Sequence, residues 1–278
     1  MNKEILIICR GGGDLATGIV HRLFRAGYQV LILETAEPAA IRRQVSFCEA
    51  VYEGTATVEG VTAERICTVK KQTVEEVLQR GRIPLLVDPD GRSIEVLKPD
   101  IVVDAIIAKK NLGTYKEMAP LVIGIGPGFV AGKDVHLVVE SMRGHNLARI
   151  LETGSALANT GIPGNIGGYT KERVIHAAAE GYMKNLHQIG DVVKKGEEIA
   201  RIYEQMSPDG VFSGRFVSVE ATIPGVLRGL IREGYHFQKG FKIADIDPRE
   251  GELKNCFTIS DKARSIGGSV LEAVCRHV

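Results

Sequence analysis

The sequence predicts an α/β protein in two parts, a mostly parallel sheet followed by a small β-rich domain. Three observations carry this. A short apolar strand, Glu4 to Cys9, runs straight into glycines and a helix. Strand-like and helix-like segments then alternate through the first half of the chain. Beyond residue 168 a thirteen-residue pattern occurs twice.

The opening segment reads Arg10-Gly11-Gly12-Gly13-Asp14-Leu15-Ala16-Thr17-Gly18 after the strand. Glycines let the chain turn sharply and bring backbone N–H groups close to an anion, and the helix that follows presents partial positive charge. Gly11, Gly13 and Ala16 fit G-x-G-x-x-A, the fingerprint of a Rossmann-like nucleotide site. The expected cofactor-binding residues are Arg10, Gly11, Gly12, Gly13, Asp14 and Ala16, with Glu34. Glu34 ends the second strand, Gln29 to Leu33, where an acid can bond a ribose 2′-hydroxyl. The alternative is a scaffold whose glycines serve close packing only.

The remaining elements of the first half follow in order. Leu15 to Ala26 is an amphipathic helix ended by Gly27. Thr73 to Arg80 is a helix stopped by Gly81, Leu85 to Val87 a strand, and Pro89-Asp90-Gly91 a turn. Ile101 to Ala108 is an apolar run broken only by Asp104, as in a strand buried on both faces. Leu121 to Ile125 and Val135 to Val139 repeat the theme. Residues 154–168 have loop composition and form either a functional loop or a connector.

The repeat pairs Gly190 to Ile202 with Gly234 to Ile246, six of thirteen positions being identical. Each copy has two glycines around a turn and then an apolar strand. Two such copies about a pseudo-twofold make a small β-sandwich or barrel, which resembles the biotinyl/lipoyl-carrier hairpin repeat. A carrier lysine is not found at the matching tip. Asp261-Lys262-Ala263 lies outside the repeat, after an N-cap at Ser260, so Lys262 reads as a solvated first-turn residue. Ser260 to His277 has helical periodicity and is expected to pack back on the first domain, with Gly267-Gly268 allowing close approach to the sheet. The expected domains are 1–145, 146–250 and 251–278.

Composition narrows the function. The chain has 278 residues, 44% of them hydrophobic, with a net charge of +1, 5% aromatics and no Trp. These values fit a globular protein with a core and argue against nucleic-acid binding. No apolar run approaches the length of a membrane span, and the first strand lacks a cleavage site, so a cytoplasmic location is expected. Five cysteines without a C-x-x-C suggest neither a disulfide framework nor a metal site. Cys9 stands beside Arg10 at the mouth of the glycine loop. A cation and a helix N-terminus there would lower its pKa and make it a nucleophile or a sulfur or selenium acceptor. A buried apolar filler is the other reading.

Two further clusters carry candidate chemistry. Lys109 and Lys110 follow the strand at Ile101 and are placed to hold an anionic cofactor, or to sit in a solvated loop. His136 and Glu140 share one strand face by the period of two, and Arg143 and His145 follow. A carboxylate beside a histidine fixes its tautomer and raises its pKa, as acid–base catalysis needs. The catalytic candidates are therefore Cys9, His136, Glu140, Arg143 and His145.

Arg10 to Gly18, Gly124-Ile-Gly-Pro-Gly-Phe129, Arg143-Gly-His145, Asn159-Thr-Gly-Ile-Pro-Gly164 and Ile259-Ser-Asp-Lys-Ala-Arg264 together resemble the YqeB family. That resemblance implies an accessory or maturation protein for selenium-dependent molybdenum hydroxylases, distantly similar to XdhC-type proteins that serve xanthine-dehydrogenase-like enzymes. It implies molybdenum cofactor or a nucleotide as ligand, a molybdenum hydroxylase apoprotein as partner, and leaves a homodimer open. It supplies no reaction. An NAD-dependent oxidoreductase is the alternative, and a biotin- or lipoate-bearing carrier a third reading.

Overall fold

The structure, a computed structural model, describes residues 3–161 and 164–278. Ile162 and Pro163 of the Asn159–Gly164 motif lie outside the described residues. The chain divides into two compact units: Met1–Pro38, Val45–Thr160 and Ile259–Val278 form unit 1, and Ala39–Gln44 with Gly161–Thr258 form unit 2.

Unit 1 is built on nine strands: β1 (Lys3–Arg10), β2 (Tyr28–Glu34), β3 (Thr55–Val58), β4 (Val61–Ile66), β5 (Ile83–Val87), β6 (Ile101–Asp104), β7 (Leu121–Ile125), β8 (Leu137–Val139) and β9 (Ile150–Leu151). Its helices are α1 (Asp14–Arg25), α2 (Ala50–Glu53), α3 (Lys71–Gln79), α4 (Arg92–Leu97) and α5 (Asp261–His277). The sheet order is β3-β4-β5-β2-β1-β6-β7-β8-β9. The inner neighbours are parallel, while β3–β4 and β8–β9 are antiparallel. Side chains alternate between two buried faces. Ile7, Cys9, Val103 and Ile123 join the core under α1 and α5, and Ile8, Val102 and Val122 join the one with α3 and α4 residues. Burying each such aliphatic side chain is worth about 1.5–3 kcal/mol.

The expected fold class needs correction. The sheet is mixed at both edges, and no α-helix connects β6 to β7 or β7 to β8. The second half of the sheet is therefore not wound by crossover helices as a Rossmann fold is. Glu59-Gly60 turns β3 back on β4, with Glu59 at φ 45° and Gly60 at φ 79°. The apolar strand runs carry no record of which neighbour is antiparallel.

Unit 2 holds β10 (Val174–His176), β11 (Gly181–Asn185), β12 (Val192–Val193), β13 (Glu198–Met206), β14 (Phe212–Glu220), β15 (Gly225–Leu230), β16 (His236–Phe237) and β17 (Lys242–Asp247). They form two four-stranded antiparallel sheets, β10-β17-β15-β12 and β14-β13-β11-β16. Neither copy of the repeat is a hairpin. In the first copy β12 lies in one sheet and β13 in the other, and in the second copy β16 and β17 are divided likewise. The carrier-type hairpin repeat is thus overturned: the shared glycine turns send each copy's two strands to different sheets.

α5 lies along α1 in the same direction. A Cβ on Gly18 would stand 2.7 Å from Ala263 Cβ, and one on Gly267 would stand 2.6 Å from the Gly18 carbonyl. Both glycines therefore serve a helix–helix contact, whereas sequence suggested a helix–sheet one. Among the described residues no helix is long and apolar enough to cross a membrane.

Candidate functional site

The chain order of the sheet reverses between β1 and β6, and ligands of such sheets bind outside the carboxyl ends of the strands at that point. The loop after β1 is the first structure there, and it is closed on itself. Gly11, at φ 98°, donates its N–H to the Leu33 carbonyl at 2.7 Å. A Cβ on Gly11 would stand 2.9 Å from the Ala105 carbonyl oxygen. Gly12 donates to Glu34 Oε2 at 2.7 Å, and its own carbonyl accepts from Cys48 N–H at 2.9 Å. Ala16 is fully buried in the core. Gly13 caps α1 with no side-chain cap, and no atom lies within 4 Å of where its Cβ would be.

Glu34 does not offer its carboxylate to a ribose. Its Oε2 holds Gly12 N–H and its Oε1 holds Thr35 N–H at 2.8 Å. Burial raises its pKa, while those two N–H groups pull it down by less. Arg10 is also an internal strut: 2% exposed, it donates to the Thr114 hydroxyl and to the carbonyls of Pro89 (3.0 Å) and Leu112 (3.4 Å). Asp104 accepts from Thr114 Oγ1 and from Ile106 N–H, and burial raises its pKa.

Cys9 takes the second of its two readings, the buried filler. It is fully buried, donates weakly to the Gly11 carbonyl at 3.6 Å, and has its pKa driven far up by burial and by the carboxylates of Asp104 and Glu34. Strand alternation explains this, because it puts Cys9 on the face opposite Arg10.

His136 and Glu140 do not meet. β8 has only three residues, so His136 precedes it and Glu140 follows it, about 13 Å apart along an extended chain. His136 Nδ1 accepts from Val122 N–H at 3.0 Å, and burial lowers its pKa. Glu140 accepts from Met142 N–H and Leu157 N–H, both at 2.7 Å. Arg143 forms a two-pronged pair with Asp261 at 2.7 and 2.9 Å, which raises its pKa. His145 is exposed. Lys109 and Lys110 are exposed on the loop after β6, where Ile107 (φ 60°) and Lys109 (φ 61°) hold left-handed conformations. A β-branched residue there is strained. Among the described residues, no group of three His, Cys, Asp or Glu side chains is placed to hold a metal ion.

The residue that the sequence reading took as solvated and the structure half-buries is Lys262. It is half-buried in the first turn of α5, and among the described residues its ammonium makes no hydrogen bond or ion pair. Desolvation lowers its pKa, Arg143 adds to that, and Asp14, Glu140 and Asp261 oppose it. Because α1 and α5 run side by side in one direction, their positive N-terminal ends lie together there. The available signal was the position itself, since a lysine in a helix's first turn opposes the dipole.

These contacts overturn the expected function. Gly11 and Gly12 of the glycine loop are held by Leu33, Glu34 and Cys48, and the maturation role for a selenium-dependent molybdenum hydroxylase is not upheld. Solved structures similar to the chain carry other names. They include the ectoine utilization protein EutE (DoeB) from Ruegeria pomeroyi (10% identity, 87% of this chain and 84% of that one, TM-score 0.28). An aspartoacylase family protein from Mesorhizobium loti gives 9%, 89%, 86% and 0.29 on the same measures. At such TM-scores the likeness carries no argument about this chain's reaction. No protein-family model matches. The Escherichia coli K12 protein described as "Uncharacterized protein YqeB" is 47% identical over 269 residues, 97% of this chain. The chain thus belongs to the YqeB family, and it spans about half (47%) of that relative's length.

Proposed function

We propose that unit 1 binds a small organic anion, carboxylate- or phosphate-bearing, at the carboxyl end of its sheet, with Lys262 as the counter-charge. The observation that carries this reading is the unpartnered, half-buried Lys262 ammonium at the paired N-termini of α1 and α5. An ammonium there is disfavoured by desolvation and by both helix ends, and an anion removes both penalties. Of the carboxylates that act on it, Asp14 supports its charge most, while Glu140 is held by two backbone N–H groups and Asp261 by Arg143. Gly13 leaves open space at the α1 terminus. Lys109, held on its strained loop, is our candidate for a second acidic group of the ligand.

The test is a thermal-shift titration of parent and Lys262→Met with phosphate, succinate and NAD. At 100 times its dissociation constant a ligand of the folded state stabilises by about 2.7 kcal/mol. A shift in the parent that Lys262→Met abolishes supports the reading, and an equal shift in both proteins defeats it. A response to NAD alone would assign the anion to a nucleotide.

A further inference from the structure

Unit 2 holds a buried cation whose acidic neighbours, Asp245 and Asp247, are shared with other arginines. β15 pairs with β17 through Leu227–Ile246 and Gly229–Asp245, and Arg228 falls at the register shift between them. It is thus the extra residue of a β-bulge, a device that re-aims a side chain. Arg228 is 9% exposed. Among the described residues its Nε has no hydrogen-bond partner, and its ion pair is long, Nη1 to Asp245 Oδ2 at 3.9 Å.

The acids of β17 are engaged elsewhere. Asp245 is held by Arg173, and Asp247 by Arg249 through hydrogen bonds of 2.9 and 2.8 Å. A guanidinium does not shed its proton, so Arg228 cannot escape the cost of burial by neutralising itself. Arg42, 6% exposed, lies on the segment bonded to β15 by Leu230 N–H and the Ile41 carbonyl at 2.8 Å. Its Nη2 donates to the carbonyls of Asn255 and Thr258. Both guanidiniums lie within electrostatic reach of the Cys256 thiol, which is 1% exposed.

We propose that Arg228, with Arg42 beside it, forms a second anion site that takes a small oxyanion near Cys256. The guanidinium fork matches two oxygens of a phosphate or carboxylate. A neutral ligand would leave the charge unmatched, and a cation would add to it. The site shares no residue with the Lys262 site.

The experiment uses the intact chain carrying Lys262→Met, titrated calorimetrically with inorganic phosphate and with succinate at fixed ionic strength. We expect one remaining site, weakened at least tenfold by Arg228→Gln and partly restored by Arg228→Lys. The tighter of the two ligands names the oxyanion class. No remaining site, or equal binding with Arg228→Gln, overturns the proposal. Unchanged binding on Lys262→Met that Arg228→Gln then removes would defeat the Lys262 reading and keep this one. Should Arg228→Gln not fold, the Arg228 Nε–H resonance of the parent decides. A shift with slowed exchange on adding phosphate supports the site, and an unmoved resonance rejects it.

Discussion

The loop after β1 and the first turn of α5 lie in the same unit and invite opposite readings. The loop has the glycines, the acid and the arginine of a ligand site, yet Gly11, Gly12, Glu34 and Arg10 are engaged by the chain itself. Gly12 is bonded to Glu34, and Arg10 to Thr114, Pro89 and Leu112. The first turn of α5 has an ordinary sequence, yet it holds an ammonium with no partner among the described residues. Polar groups that satisfy one another are architecture. The one left unsatisfied is where a ligand gains most.

The largest expected effect tests the architectural side. Gly11→Ala forces a side chain into φ 98° and to 2.9 Å from a carbonyl oxygen, and we expect a loss of about 3 kcal/mol. Gly13→Ala, in open space, should cost only a few tenths of that figure. Urea unfolding of both variants checks this, and equal losses would erase the contrast between packing glycine and open cap.

Glu34→Gln comes next. A glutamine oxygen replaces one of two acceptors, leaving Gly12 or Thr35 N–H unmatched, for about 1–2 kcal/mol. Glu34's folded pKa is raised, so its pH-linked stability is fully present below its usual 4.5 and fades as pH rises through the folded value. The stability gap between parent and variant should therefore be wider at pH 4.5 than at pH 8, as parallel denaturation curves would reveal.

Lys262→Met should raise stability without ligand by about 0.5–1 kcal/mol at pH 7, because a desolvated cation is removed. Lysine's folded pKa is lowered, so its linked stability is present above the usual 10.5 and lost as pH falls through the folded value. The parent should close the gap on the variant as pH approaches 10.5. A gap independent of pH would mean that the ammonium is not desolvated.

The smallest effect lies at the Arg201–Glu198 pair of unit 2. Arg201 and the Ser218 hydroxyl hold Glu198 down to about 2, yet both side chains are partly open to solvent. Glu198→Gln should leave the thermal midpoint unmoved, because exposed pairs are screened. Asp245, the second-repeat counterpart of Arg201, is instead buried against Arg173, and Asp245→Asn should unfold the unit at markedly lower temperature.

Much of the local structure was legible. Ser260 was readable as an N-cap, and its hydroxyl does accept from Ala263 N–H. The apolar run at Ile101 does form a buried strand, because burial on both faces leaves no polar alternation. Legibility ended where pairing partners decide. Glu34 at the end of β2 looks the same whether it meets a ribose or Gly12. His136 and Glu140 share a strand face only if the strand reaches both, and β8 stops short. Arg228 owes its burial to a bulge, and a bulge is a property of two strands.

The close approach of Gly18 and Gly267 bears on the order of events during synthesis. The groove of α1 that receives α5 is made among the first residues translated, while α5 leaves the ribosome only after the whole of unit 2. Until then the apolar face formed by Ile19 and Leu23 lacks its cover. Nascent unit 1 therefore stays incomplete while residues 161–258 emerge.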